Sequence, residues 1–454
     1  MTEEREPATA FTTVGEVAID PERALVHEEG WQSWSPTTAY RVDQQPWRSA
    51  DPAAYPMNYK DPAGMTAGFA GEGLLAVDPG TGGPVEVFSA ADPATSVPEI
   101  RAERRGSTLV ISADEPVVRS GHATDLGGAL AAWADDLAGR MRRAPIRPAP
   151  TIWCSWYHYF TSVSEADIVE NLDAMDRLDL PVDVVQLDDG YQSELGDWLT
   201  LSDRFDSLEE LTARIADRGR RAGIWVAPFL VGAKSETARS HPEWLVRGAD
   251  PDGIPASAGH NWGQDLYGLD TTHPGALAYL AEVFGAFAAQ GFDFFKIDFV
   301  YGAALPGRRH DDVPPVVAYR RGVETIRTAI GESYLLGCGA PILPSVGLVD
   351  AMRVSADIAL HYEPEGGDLS RPSQRAAVMS GAGRAYQQGR FWVNDPDCLV
   401  ARPAVERREE WAEHVERYGG LRGSSDRLAD LDEWGLRTTR RVLSTVPPPT
   451  PFAG

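Results

Sequence analysis

From Thr151 onward, short and almost wholly apolar runs alternate with segments whose apolar residues recur every three or four positions. The first kind reads as strand buried on both faces, the second as helix packed against it. Expected strands cover residues 151–156, 183–188, 223–229, 292–299, 333–339, 351–355 and 390–393, with a fainter eighth near 418–422. Between them, Ser162-Val163-Ser164-Glu165 and Ser207-Leu208-Glu209-Glu210 have the form of capping boxes. Ile168, Leu172 and Met175 form one apolar stripe, and Leu208, Leu211 and Ile215 another. About 300 residues of such β/α units, with no glycine-rich dinucleotide fingerprint after the first strand, predict a TIM (β/α)8 barrel.

The first 125 residues have a different texture, with short apolar runs broken by Gly, Pro, Asp and Ser, which predicts a small N-terminal β-sandwich. Residues 126–141 read as one helix, and the proline-rich stretch 144–150 as a stiff linker. The expected division is therefore 1–145, sandwich with its linking helix, and 146–454, catalytic barrel, with no β domain after it.

Chemistry enters where charge interrupts this pattern. In Phe294-Phe295-Lys296-Ile297-Asp298-Phe299, side-chain alternation aims Lys296 and Asp298 to one face and Phe295, Ile297 and Phe299 to the other. Two charges on an inner face are expensive to bury unless they are paired and used. The C-terminal strand ends are where a barrel keeps its site. There the chain also places Trp156 and Tyr157, Asp188 and Asp189, Trp225, Cys338, Arg353 and Asp357, and Asp395 and Asp397. Carboxylates, two cations and several indoles suit a neutral, hydroxyl-rich ligand, whereas a phosphate site would call for glycine-rich loops and more base.

Taken singly, these residues have plainer readings. Asp188-Asp189 reads as a helix cap or a site for a structural cation, Trp225 and Trp392 as core, and Cys338 as a small filler. The tetrad Trp31-Gln32-Ser33-Trp34 fits sandwich core as well as a wall of the site. Asp395 and Asp397 lack the clustered oxygens of a calcium loop, and His158 and His361 have no second histidine at helical spacing.

A formal charge of −25 argues against nucleic acid as partner. No apolar run approaches the ~18 residues of a membrane span, and the acidic start, Met1 to Glu6, lacks the order of a secretory signal. Three cysteines make no disulfide framework and share no metal-ligand spacing, so a reducing cytoplasm is expected.

Seven ordered blocks between about Trp31 and Ala401 are Cys154 to Phe160, Leu187 to Tyr191, Gly223 to Phe229, Phe295 to Phe299, Leu336 to Pro341, Met352 to Asp357 and Arg390 to Asp397. Together they resemble the α-galactosidases of glycoside hydrolase family 36, in clan D. The resemblance implies retention, with Asp298 as nucleophile and Asp357 as general acid/base. It implies that Asp188, Asp189 and Lys296 hold the sugar's C4, C6 and C3 hydroxyls, with Cys338 and Arg353 near C2. Trp225, Tyr157, Trp156, Trp31 and Trp34 would complete the substrate pocket. The implied partner is a small galactoside or oligosaccharide, with no metal or organic cofactor, and Lys296 and Arg353 would favour ionised Asp298. Neighbouring possibilities are a related retaining α-glycosidase, a transglycosylase or a catalytically silent sugar-binding protein. The chain departs from the family in its short sandwich, its proline-rich C-terminal end and the absence of a tryptophan just after Asp357.

Overall fold

The computed structural model describes residues 10–48, 68–121, 123–141, 145–248 and 253–452. Met1 to Glu6, and Ala144 in the expected linker, lie outside these. Eight parallel strands form one sheet: β1 (Thr151–Cys154), β2 (Val184–Leu187), β3 (Arg221–Val226), β4 (Phe292–Ile297), β5 (Tyr334–Gly337), β6 (Ala351–Arg353), β7 (Val393–Asp395) and β8 (Arg422–Ser424). Neighbours follow chain order from β1 to β7, and β8 pairs with β1. The Leu399–Ser424 bridge, with the Gly420 and Leu421 amides on the Asn394 carbonyl, draws β7 to β8. The sheet is a TIM barrel.

Local signals place its helices. Ser207 caps the helix Leu208–Asp217, whose Leu208, Leu211 and Ile215 are buried. The other capping box sits two residues later than expected, because Phe160–Ser162 just before it winds into a short 3-10 turn: Ser164 caps Glu165–Arg177 and exchanges bonds with Asp167. Strand β7 begins where the expected run ended, since Trp392 is core just ahead of it, and β8 follows the helix Arg408–Tyr418 rather than overlapping its end.

Ahead of the barrel two antiparallel sheets pack face to face. One orders Thr12–Ala18, Thr108–Ala113, Glu99–Arg105 and Phe69–Glu72; the other Thr38–Arg41, Leu25–Glu28, Leu74–Asp78, Glu86–Ala90 and Val117–Gly121. Val26, Val77, Phe88, Ile100, Leu109 and Ile111 fill the space between them. The helix Leu126–Arg140 follows, and its Trp133 packs edge-on to Phe391 of the barrel.

Two features bring outside residues over the barrel mouth. The loop between strands Leu25–Glu28 and Thr38–Arg41 reaches the segment after β5, where the Ser33 amide donates to the Ala340 carbonyl and the Ile342 amide to that of Trp31. Between β3 and β4, a three-stranded sheet (Leu230–Gly232, Ser257–Asn261, Gln264–Gly268) was not anticipated from the sequence.

Candidate active site

A cavity of about 400 Å³ opens at the C-terminal ends of the barrel strands. It is lined by Asp188, Asp189, Trp225, Lys296, Asp298 and Asp357, with Trp34 and Trp156 on its walls. Eight of the residues expected from the sequence thus meet in one place. The other four lie behind its lining. Cys338 is fully buried, Trp31 is packed into the core, Tyr157 binds Asp397, and Arg353 is enclosed by carboxylates. Short side chains near a strand end and residues on a strand's flank need not reach the mouth, however suggestive their spacing.

Asp298 lies one residue beyond β4, and its amide donates to the Val226 carbonyl at 2.9 Å. The Trp225 indole donates to its Oδ2 at 2.9 Å, the Phe299 amide to its Oδ1 at 2.8 Å, and the Lys296 ammonium stands 3.9 Å away. Lys296 sits closer to Asp188, at 3.0 Å. Burial opposes its charge, but Asp188 and Asp298 hold its pKa well above the ordinary value.

Phe299 corrects the simple alternation. Its φ of 51° puts it in the left-handed region, ending the strand and turning its ring into the cavity instead of away from it. There it meets Trp34 at 4.7 Å and Trp262 at 5.2 Å between ring centroids. Gly339 makes this approach possible, since a Cβ would lie 2.7 Å from the Phe299 amide and 3.0 Å from the Trp34 ring.

Asp189 is held on both oxygens, by the Gln192 amide at 2.6 Å and the Trp262 indole at 2.8 Å. Burial pushes its carboxyl up to about 6; these two bonds oppose the rise and the charges of Asp188 and Asp298 add to it. Trp262 comes from the tip of the unanticipated sheet, where Trp262 and Gly263 both have positive φ, as a two-residue hairpin turn requires. The run Asn261-Trp262-Gly263, in an interval between β3 and β4 much longer than one helix needs, was its sequence signal. Phe160, Thr161, Asn261, Ser370 and Pro372 were likewise missed.

Asp357 follows β6. Its side chain is 31% exposed against 8% for Asp298, so it faces the open side of the cavity. Arg353 pairs with Asp357 at 2.9 Å, and also with Asp395 at 3.2 Å and Asp397 at 2.9 Å. The expectation that it supports Asp298 is therefore corrected: three carboxylates engage its fork. Burial raises the Asp357 pKa, opposed by Arg353 and reinforced by Asp298. No group of three or more His, Cys, Asp or Glu side chains arranged to hold a metal occurs among the described residues, and none of their helices is long and apolar enough to cross a membrane.

A melibiase family model matches residues 140–312. Among curated proteins, the bifunctional α-galactosidase/sucrose kinase of Mediterraneibacter gnavus is 32% identical over 103 residues, 21% of this chain and 10% of that one. An α-galactosidase of Geobacillus stearothermophilus is 31% identical over 108 residues, 22% of this chain and 14% of that one. The matched stretches thus span a small part of these relatives. Likeness extends further to the α-galactosidase of Thermus thermophilus. Its structure with p-nitrophenyl α-D-galactopyranoside superposes with a TM-score of 0.78 at 29% identity, covering 96% of this chain and 92% of that one. Its stachyose complex gives a TM-score of 0.77 at 30% identity, over 93% of this chain and 90% of that one. With identity of that level along nearly the whole of both chains, this chain belongs to the melibiase family, among the glycoside hydrolases.

Proposed function

We propose that this chain is a retaining α-galactosidase of glycoside hydrolase family 36, releasing terminal α-D-galactosyl residues from small galactosides by double displacement. The observation that carries the reading is the contrast between two carboxylates on one cavity. Asp298 accepts an indole hydrogen on one oxygen and an amide hydrogen on the other, with an ammonium 3.9 Å away, so its carboxyl is held in one orientation at the cavity floor. Asp357 has a raised pKa and the more exposed position, where a leaving group departs. Asp298 attacks the anomeric carbon as the bond to the leaving oxygen breaks, and Asp357 gives that oxygen its proton. Water then attacks the same carbon, Asp357 takes the water's proton, and the Asp298 carboxylate leaves.

In this reading Asp188, Asp189 and Lys296 bind the hydroxyls of galactose, while Trp34, Trp156, Trp225, Trp262 and Phe299 cover its ring faces and the entrance. Residues 1–145 and 146–454 act as sandwich and catalytic units, with the sandwich supplying Trp34. The setting is the cytoplasm, a reading supported by three buried cysteines, none of them in a disulfide.

Asp298→Ala tests the assignment. It should remain folded, lose nearly all hydrolysis, and convert an activated aryl α-galactoside to β-galactosyl azide when azide is supplied. Near-normal turnover, or an α-azide product, rejects Asp298 as the nucleophile.

A further inference from the structure

Arg353 poses a problem for the chemistry just described. A guanidinium 2.9 Å from Asp357 favours its ionised form, yet a general acid must keep its proton. The surroundings supply an answer. Asp397, fully buried, takes the other terminal nitrogen at 2.9 Å, and Asp395, almost as deeply buried, takes Nε at 3.2 Å. Asp397 uses the rest of its carboxylate locally. Its Oδ1 accepts the Cys398 amide at 2.6 Å, and its Oδ2 accepts the Tyr157 hydroxyl and the Ile358 amide, the latter at 3.0 Å. Ile358 is the residue after Asp357, so the same carboxylate also grips the backbone that carries the acid. Asp397 adopts a φ of 93°, rare for a residue with a side chain, and its amide is tied to Asp395 Oδ1 at 2.9 Å.

We infer that Asp397 is a positioning residue for the proposed reaction: with Asp395 it offsets the charge of Arg353 and fixes the Asp357 backbone, so that Asp357 stays protonated long enough to act as the acid. The inference rests on the acid/base reading of Asp357. The two carboxyl groups, bridged by one guanidinium, titrate as a pair. Burial, opposed by Arg353 and reinforced by Asp357 and Asp395, pushes Asp397 up to about 7, while its bond from Tyr157 pulls it down. Facing Asp357 are Arg353, Asp298 and Lys296 from β4, and Asp188 after β2. Facing Asp397 are Arg353, Asp357, Asp395 and Tyr157. Burial, with the charges of Asp357 and Asp397, keeps Tyr157 a neutral donor; burial and the charge of Asp298 hold the Cys338 thiol neutral, and a bond with Cys154 together with burial does the same for Cys398.

Asp397→Asn removes one negative charge from the pair. Tyr157→Phe removes only a hydroxyl donor, which favours neutral Asp397, and serves if the first variant does not fold. The readout is the alkaline limb of kcat/KM on melibiose, where the leaving oxygen needs a proton, beside that on 2,4-dinitrophenyl α-galactoside, where it does not. In the wild type the limb should appear on melibiose alone. Asp397→Asn should move it toward acid by about 1 pH unit, and Tyr157→Phe in the same direction by less. A uniform fall in rate with the limb unmoved means a merely structural role and overturns the inference while leaving Asp357 as acid. The same limb on both substrates in the wild type overturns the acid assignment itself, and the inference with it.

Discussion

One buried side chain couples sandwich to barrel, and replacing it should be felt in both stability and binding. Arg384 and Glu29 are fully buried and pair at 2.7 Å. The remaining guanidinium hydrogens go to the Val354 carbonyl just beyond β6, at 3.1 Å, and to carbonyls of the loop that carries Trp34: Ser33 at 2.7 Å, Gln32 and Ser35 at 3.1 Å, and Gly30 at 3.3 Å. Burial disfavours the Glu29 carboxylate, but Arg384 and His27 more than compensate and hold its pKa near 2. Arg384→Met leaves that carboxylate buried beside a methyl group, a change that costs about 3–5 kcal/mol. With unfolding entropy of about 2.1 cal/mol/K per residue, a chain of 454 residues changes by roughly 1 kcal/mol per degree, so Tm should fall by about 3–5 °C if it melts as a unit. The pair stabilises the fold fully above the ordinary carboxylate pKa, and this contribution is lost as pH falls toward 2. The gap between variant and wild type should therefore be widest at neutral pH and narrow in acid. Differential scanning fluorimetry across pH reads both effects. In kinetics, Arg384 acts chiefly through the loop that carries Trp34, so Arg384→Met should raise KM for galactosides and add little to Trp34→Ala. An unchanged Tm at neutral pH, or a gap that widens in acid, refutes the reasoning.

Trp262→Phe keeps the ring but removes a hydrogen-bond donor from Asp189, whose carboxyl already stands near 6. The acid limb of kcat/KM should then move to higher pH, and a limb unchanged from wild type would separate Asp189 from substrate binding. If Asp188 and Asp189 bind the axial C4 hydroxyl as proposed, nitrophenyl α-galactoside should be preferred over the α-glucoside, by up to about 10⁴–10⁵ where a buried bond goes unmade and less for an inverted hydroxyl. Comparable kcat/KM on the two would reject that role.

What the sequence by itself determined is local. The alternation of apolar runs with amphipathic stripes, serine caps and the charges of Lys296 and Asp298 depend on near neighbours, and each is visible in the order of residues. Hence the barrel, the sandwich and the strand ends that face the cavity could be anticipated. Tertiary structure decided the rest, because it turns on which distant groups meet. Phe299 reverses direction because its backbone leaves strand geometry beside Gly339, and Trp262 arrives from a hairpin whose destination its own sequence does not encode. Arg353 pairs with Asp357 rather than Asp298, and β7 beside β6 brings Asp395 and Asp397 to the rest of its fork. Even Trp34, which fits core and wall equally well as a residue type, becomes a wall only when Arg384, some 350 positions later in the chain, captures its loop. Burial and charge pairing act through space, so they select partners that spacing along the chain leaves open.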